Sequence, residues 1–309
     1  MVESPKISVV VPFFNEAESV QEFHRVLLAA LQKLQVTFEI IFVDDGSTDK
    51  TLEYMRALKP ARVLFFTRNY GQTAALGVGI GEARGEIIIT LDGDLENRPE
   101  DISKLLVKLE EGFDIVSGWR QDRWKDKLFT RRIPSKLANH MISFVTGVYL
   151  HDHGCTLKAY RKKFVKNINF IGDMHRIIAA YAVREGAKLT EIPVQFEPRR
   201  HGKSKYGFSR TFKVLLDILA FHFFYKYARR PIHFFRALGF VSFFLAGVMS
   251  FIAVYLRVTQ DIHFIRTPLP MLVAIFVVVG FQFILMGLLA EIISRNSQNK
   301  IEYFESHGE

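Results

Sequence analysis

Glu86-Ile87-Ile88-Ile89-Thr90-Leu91-Asp92-Gly93-Asp94-Leu95-Glu96 is the stretch on which the fold turns. Its first half is an unbroken β-branched and apolar run, the pattern of a strand buried on both faces of a parallel sheet. Its second half breaks into carboxylates around a glycine. Open α/β sheets place their ligand chemistry at the carboxyl ends of such strands.

The same alternation extends to both sides. Strands are predicted over Ile7 to Val11, Glu39 to Val43, Arg62 to Thr67, Glu86 to Leu91 and Asp114 to Ser117. Helices are predicted over Ala17 to Leu34, Thr48 to Leu58, Thr73 to Ala83 and Pro99 to Glu110. Strands separated by amphipathic helices read as an open α/β sheet wrapped by helices. The first strand runs into Pro12-Phe13-Phe14-Asn15-Glu16, the second into Asp44-Asp45-Gly46-Ser47 and the fourth into Asp92-Gly93-Asp94. Three acidic loops are therefore expected on one sheet edge.

Two carboxylates two residues apart across a glycine suit one divalent ion, and such an ion neutralises a diphosphate before its bond to a sugar breaks. Asp92 and Asp94 fill that pattern. Asp44 or Asp45 can hydrogen-bond the base or ribose of a nucleotide, with Pro12, Phe14 and Glu16 walling the pocket; the same aspartates also suit plain turn and cap roles.

Composition sets the frame. Lys and Arg outnumber Asp and Glu by 41 to 32, a net charge of +9, which points to an anionic membrane surface or to nucleic acid. The basic residues gather beside the apolar carboxyl-terminal segments without a nucleic-acid module, so a nucleic-acid partner is not expected. Cys155 is the sole cysteine, which excludes an intrachain disulfide. Ile7 to Phe14 is too brief for a signal peptide.

Past Arg120 the chain grows basic and aromatic. Arg199-Arg200-His201-Gly202-Lys203-Ser204-Lys205 forms a cationic loop, and Gly207 to Tyr227 reads as a basic amphipathic helix suited to a membrane interface. Ala237 to Leu256 and Leu269 to Ala290 are each long and apolar enough to cross a bilayer. Lys226, Arg229, Arg230, Arg236, Arg295 and Lys300 flank the pair, against Arg257 and Arg266 between them, which places both termini in the cytoplasm. The expected organisation is a catalytic domain over 1–206, an interfacial helix over 207–230, two spans within 231–294 and a tail over 295–309.

Taken together, Val10 to Glu16, Val43 to Asp49, Asp92 to Glu96 and Arg199-x-x-Gly-x-Ser-Lys205 resemble the family 2 glycosyltransferases. More narrowly, they resemble the polyprenyl-phosphate glycosyltransferases, relatives of dolichol-phosphate mannose synthase. The resemblance implies a GT-A fold followed by an interfacial helix and two transmembrane helices. It implies Mg²⁺ or Mn²⁺ held by Asp92, Asp94 and Glu96, and inverting transfer of one sugar from a nucleotide sugar to polyprenyl phosphate at the cytosolic face of the inner membrane. UDP-glucose or a similar molecule is the working donor. Arg199 and Lys205 fall on positions that bind lipid and donor phosphates, and Asp152 lies near an acidic position that orients the acceptor. Glu96 replaces the usual Gln and Arg98 the usual Pro, so the donor is not copied from any one relative.

A lipid phosphate, with a second pKa of about 6, arrives largely anionic and needs no catalytic triad. It needs cations to hold it in line, which Arg199, Lys205 and Arg131 or Arg132 can supply. His151 and His153 read as hydrogen-bonded turn residues, and Gly77, Gly79 and Gly81 do not form a dinucleotide fingerprint. The rival readings are a processive polysaccharide synthase subunit, which Gln121-Asp122-Arg123-Trp124 resembles with the wrong spacing, and a non-catalytic membrane adaptor. Self-association through the apolar helices stays open.

Overall fold

A computed structural model of the chain describes residues 4–121, 123, 133–166, 178–197, 232–296 and 303–306. The chain divides into two units, 1–218 with 301–309, and 219–300.

In the first unit the sheet is built from β1 (Ile7–Phe13), β2 (Phe38–Asp44), β3 (Ala61–Phe66), β4 (Ile87–Thr90), β5 (Ile115–Trp119), β6 (Lys158–Arg161), β7 (Leu189–Pro193) and β8 (Tyr303–Ser306). Their order is β7-β5-β6-β4-β1-β2-β3-β8. The parallel centre is β4-β1-β2-β3, with Phe13 in register with Asp44 and Val10 with Thr90. Here strands are continuously apolar because both faces are covered: Val9, Val10, Val11, Ile40, Ile41, Ile88 and Ile89 are fully buried.

Helices α1 (Val20–Gln32), α2 (Thr51–Ala57), α3 (Gln72–Glu82) and α4 (Ile102–Glu110) follow the first four strands. The predicted α1 opens three residues late because Asn15 turns at φ 54° and a short turn intervenes before Val20. The predicted α2 opens at Thr51, whose amide and hydroxyl both bond Asp49 Oδ1. Gly79 lets α3 lie close on the sheet, since a Cβ there would stand 2.3 Å from Val10. That packing accounts for part of the glycine series in this helix.

Past β5 the sheet turns mixed. β6 lies antiparallel between β4 and β5, while β5 and β7 are parallel to each other. Two reversals leave β5 pointing the same way as β4, so their carboxyl ends share an edge. Helix α5 (Ile133–Thr146) and the loop 147–157 lead into β6, and α6 (Ile178–Arg184) precedes β7. The tail also enters the sheet, where β8 pairs antiparallel with β3, Phe66 opposite Tyr303.

The second unit holds α7 (Ile232–Gln260) and α8 (Leu269–Asn296), both longer than the predicted spans. They pack antiparallel along a glycine seam. The Gly280 carbonyl lies 3.1 Å from where a Gly239 Cβ would stand, and a Gly287 Cβ would meet Phe235 at 3.0 Å. Outside that seam Phe244, Phe251 and Val258 are more than 69% exposed. Helices of this length and apolarity with so much uncovered surface are fit to cross a membrane.

Candidate active site

The order β4-β1-β2 sets three acidic loops side by side at the carboxyl edge. Their contacts sort the carboxylates into different jobs. Asp45 is 3% exposed and saturated: Asn69 Nδ2 donates to Oδ2 at 2.9 Å, the Tyr70 amide to Oδ1 at 2.8 Å, and the Gly71 amide to Oδ2 at 3.0 Å. It organises the β3–α3 loop. Gly46 follows at φ +69°, with no room for a Cβ against the Arg68 carbonyl carbon at 2.3 Å.

Asp44 is the opposite case. It is 1% exposed, its Oδ2 accepts the Ser47 amide at 3.1 Å, and its buried Oδ1 has no hydrogen-bond partner among the described residues. Burial raises the pKa of both aspartates, against the donors that pull it down. Pro12 and Phe14 lie half-buried in the neighbouring loop. Glu16 receives the Ser19 hydroxyl at 3.0 Å through Oε2, and its amide donates to Thr51 Oγ1 at 2.8 Å.

The Asp92-Gly93-Asp94 turn is held from two sides. Ser19 Oγ lies 3.1 Å from the Gly93 carbonyl, and Gln72 Nε2 donates to Asp92 Oδ1 at 2.6 Å. Gly93 serves closeness here, because a Cβ would stand 2.1 Å from the Phe13 ring. Burial and then the charge of Asp94 push the Asp92 carboxyl up to about 7. Two carboxylates crowded so that one holds its proton near neutrality form a set that a divalent cation relieves. Asp94 Oδ1 accepts the Glu96 amide at 3.0 Å.

Arg120 stands at the end of β5 on the same edge. It is 4% exposed and gripped by Asp152 through both oxygens, Nε to Oδ2 at 2.7 Å and NH2 to Oδ1 at 3.1 Å. Burial is the largest influence on the Asp152 carboxyl and raises it, but the Arg120 charge and hydrogen bonds together with the charges of Arg123 and Lys158 outweigh it, and the pKa falls. Glu96 lies 3.8 Å from Arg120 and 3.5 Å from Arg123, so its carboxylate is drawn towards two guanidinium groups. The pieces interlock: Thr90 Oγ1 donates to the Thr156 carbonyl at 2.8 Å, and Asn97 Nδ2 to Thr156 Oγ1 at 3.2 Å.

The family model "Glycosyl transferase family 2" matches residues 8–168, which spans every one of these carboxylates. The chain belongs to glycosyltransferase family 2. It is 43% identical over 305 residues to dodecaprenyl-phosphate galacturonate synthase of Rhizobium johnstonii, covering 95% of this chain and 89% of that protein. It is 37% identical over 296 residues to undecaprenyl-phosphate 4-deoxy-4-formamido-L-arabinose transferase of Salmonella paratyphi A, covering 94% and 88%. Among solved structures, mannosyl-3-phosphoglycerate synthase of Rubrobacter xylanophilus superposes at TM-score 0.55 with 15% identity, over 70% of this chain and 73% of that one. Glucosyl-3-phosphoglycerate synthase of Mycobacterium tuberculosis, crystallised with Mn²⁺, UDP-glucose and glycerol 3-phosphate, superposes at 0.53 with 17% identity, over 70% and 78%. The fold is GT-A.

In this family 2 glycosyltransferase the expected acidic loops are brought together, and Asp152 joins them through Arg120. Arg131, Arg199 and Lys205, expected to bind phosphate, lie outside the described residues, as does the amphipathic helix expected over 207–230. Arg98 forms an ion pair with Glu197. His151 stacks on Trp119 with centroids 4.1 Å apart and pairs with Glu191, while His153 Nε2 meets Ser143 Oγ at 2.9 Å. Among the described residues no group of three or more His, Cys, Asp or Glu side chains forms a metal cage. Sequence reading missed Arg120 and Gln72. Arg120 was findable as the first basic residue past the predicted strand Asp114 to Ser117, whereas nothing in the sequence ties Gln72 to Asp92.

Proposed function

We propose that the chain moves a single sugar from a nucleoside-diphosphate sugar to polyprenyl phosphate, inverting the anomeric centre in one displacement. The observation that carries this is the pairing, on one sheet edge, of the crowded Asp92 and Asp94 with the Arg120–Asp152 clamp. A donor diphosphate and an acceptor phosphate each need compensating positive charge, and this edge offers a seat for both.

Asp44 Oδ1 is the buried acceptor that a base N–H or ribose hydroxyl satisfies, with Pro12, Phe14 and Glu16 beside it. Asp92 and Asp94 would hold Mg²⁺ or Mn²⁺, since such ions bind through one or two carboxylates and take the rest of their ligands from water and substrate phosphate. When bound, the ion neutralises charge on the leaving diphosphate. Glu96 acts as the counter-charge of Arg120 and Arg123 rather than as a ligand. Asp152 fixes the Arg120 fork so that its orientation costs little entropy when an anion approaches. Arg131, Arg199 and Lys205 add positive charge for the lipid phosphate.

The two apolar helices span the inner membrane as a hairpin with both termini cytoplasmic. Basic residues flank the pair, and the tail rejoins the sheet through β8, so the chain crosses an even number of times. Because one relative is named for galacturonate, nucleotide-activated galacturonate goes first in the donor panel, ahead of UDP-glucose.

Full-length protein with Mn²⁺, the donor panel and polyprenyl phosphate releases nucleoside diphosphate with at least one donor, and Asp94→Ala abolishes release. No release with any donor, or full turnover by Asp94→Ala, sinks the reading.

A further inference from the structure

Proteins almost never bury a lysine whole unless it is paired, yet Lys158 is 2% exposed inside the sheet. It opens β6, in register with Thr90 at the end of β4 and with Ser117 on β5, both buried. Its Nζ donates to the His153 carbonyl at 3.1 Å. A carbonyl is a neutral acceptor, and an uncharged donor would serve it as well. Taking an ammonium out of water is unfavourable unless opposite charge stands near, so the charge itself calls for a reason.

What stands near is the ion-pair cluster of the site. Burial pushes the Asp152 carboxyl up, and the charges of Arg120, Arg123 and Lys158 are among the influences that hold it ionised. His153, whose carbonyl Lys158 takes, directly follows Asp152. Asp152 grips Arg120 through both oxygens, and Glu96 lies 3.8 Å from Arg120 and 3.5 Å from Arg123. Cys155 adds no charge, since burial pushes its thiol up to about 11. Asp92 and Asp94 have the divalent ion of the proposed reaction as their counter-charge. Asp152 and Glu96 therefore balance Arg120 and Arg123, charge for charge. A balanced cluster attracts an anion weakly, because the guanidinium that meets it is already paired. Lys158 raises the sum by one positive charge, whichever of these carboxylates it leans on.

We infer that Lys158 is a positioning residue for the acceptor, whose charge turns the balanced Arg120–Asp152–Glu96–Arg123 cluster into a net cationic seat that draws a phosphate monoester to the Arg120 fork. A buried ammonium is little screened by salt, and β6 between β4 and β5 gives it a fixed place that a loop does not. Arg120 supplies the donors, Asp152 aims them, and Lys158 supplies the net charge. The identity of the anion rests on the transferase reading; the balance of charge does not.

Binding of geranyl phosphate, a short isoprenyl phosphate, to the full chain in detergent without metal or nucleotide tests this by calorimetry. Lys158→Met nearly keeps the volume and removes the charge. It should weaken binding about tenfold and raise the acceptor KM by a similar factor, with kcat within threefold of the parent. Glu96→Gln added to Lys158→Met removes one negative charge and should bring geranyl phosphate binding back to near the parent's. A merely structural role predicts no such recovery. Geraniol, which lacks the phosphate, should not distinguish Lys158→Met from the parent. Geranyl phosphate binding by Lys158→Met within twofold of the parent overturns the inference, as does a loss that Glu96→Gln fails to recover or one that geraniol shares. Should Lys158→Met not fold, Glu96→Gln alone decides, because it raises the net charge of the cluster further and should tighten geranyl phosphate binding about tenfold; unchanged or weaker binding overturns the inference. If the parent binds geranyl phosphate but turns over no donor, the transferase reading fails while the effect of Lys158 on anion binding stands.

Discussion

The loop after β2 and the turn after β4 each offer two aspartates to the same sheet edge, yet the fold uses them differently. In the β2 loop one carboxylate is spent on structure. Asp45 takes three donors from the β3–α3 loop, and Asp44 keeps a buried oxygen without a partner among the described residues. In the β4 turn the two carboxylates are left to crowd each other, and Asp92 answers by holding its proton up to about 7. The number of fixed donors around a carboxylate, more than its motif, separates the scaffold carboxylate from those proposed to bind ligand.

The contrast breaks first at Asp94. Asp94→Asn is expected to cut turnover about a thousandfold or more while the melting temperature holds or rises slightly, because relieving like-charge crowding removes no structural bond of comparable worth. Nucleoside diphosphate release and a thermal melt measure the two sides. A variant that keeps turnover within tenfold of the parent puts the charged end of the reaction elsewhere.

Next comes the split within the β2 loop. Asp45→Ala strands three part-buried donors and should cost about 3 kcal/mol of stability, read by denaturant unfolding in detergent. Asp44→Ala should cost less than half of that and instead weaken nucleoside diphosphate binding about tenfold by calorimetry. The reverse order would show that Asp44 Oδ1 is not a ligand seat.

A smaller effect comes with pH. The folded pKa of Asp92 lies above the ordinary 3.8, so the folded form keeps a proton that the unfolded chain loses. Its contribution to metal-free stability is fully present below about 4 and is lost as pH rises to about 7. Asp44 and Asp45 are shifted the same way, so this slope alone does not isolate Asp92. Mn²⁺ does, because the ion needs the ionised form. The rise in melting temperature that Mn²⁺ gives should grow with pH up to about 7 and then level, and Asp92→Asn should flatten that dependence.

Much of this arrangement is legible in the chain. The runs Val9-Val10-Val11 and Ile87-Ile88-Ile89 announce buried parallel strands, and strand polarity alone sends Glu16, Asp44 and Asp92 to one edge. What is not legible arises from contacts distant in sequence. β6 reads poorly as a strand because Lys158, which it buries, is a residue that strands and cores both disfavour; its Nζ reaches the His153 carbonyl at 3.1 Å. Arg120 becomes buried only once β6 inserts and brings the Asp152 loop against it. β8 is four residues paired to a strand more than 230 positions earlier, and no local pattern foretells such a pairing.

Gln72 gives the finest test, because it joins the two regions being compared. The Gly71 amide bonds Asp45, and the next residue reaches across to Asp92. The scaffold carboxylate thus aims the donor that steadies Asp92. Removing that donor as Gln72→Leu leaves Asp45 and its bonds in place, so the melting temperature should stay near that of the parent. Asp92 loses a hydrogen bond that favours its charged form, and the pH midpoint of Mn²⁺ binding should move upward by about half a unit, with affinity at neutral pH falling about threefold. Asp45→Asn should produce the same midpoint shift indirectly, through a loosened loop, but with a clear loss of stability. If Gln72→Leu leaves the midpoint in place while Asp45→Asn moves it, the β2 loop reaches the metal end by some other contact than this side chain.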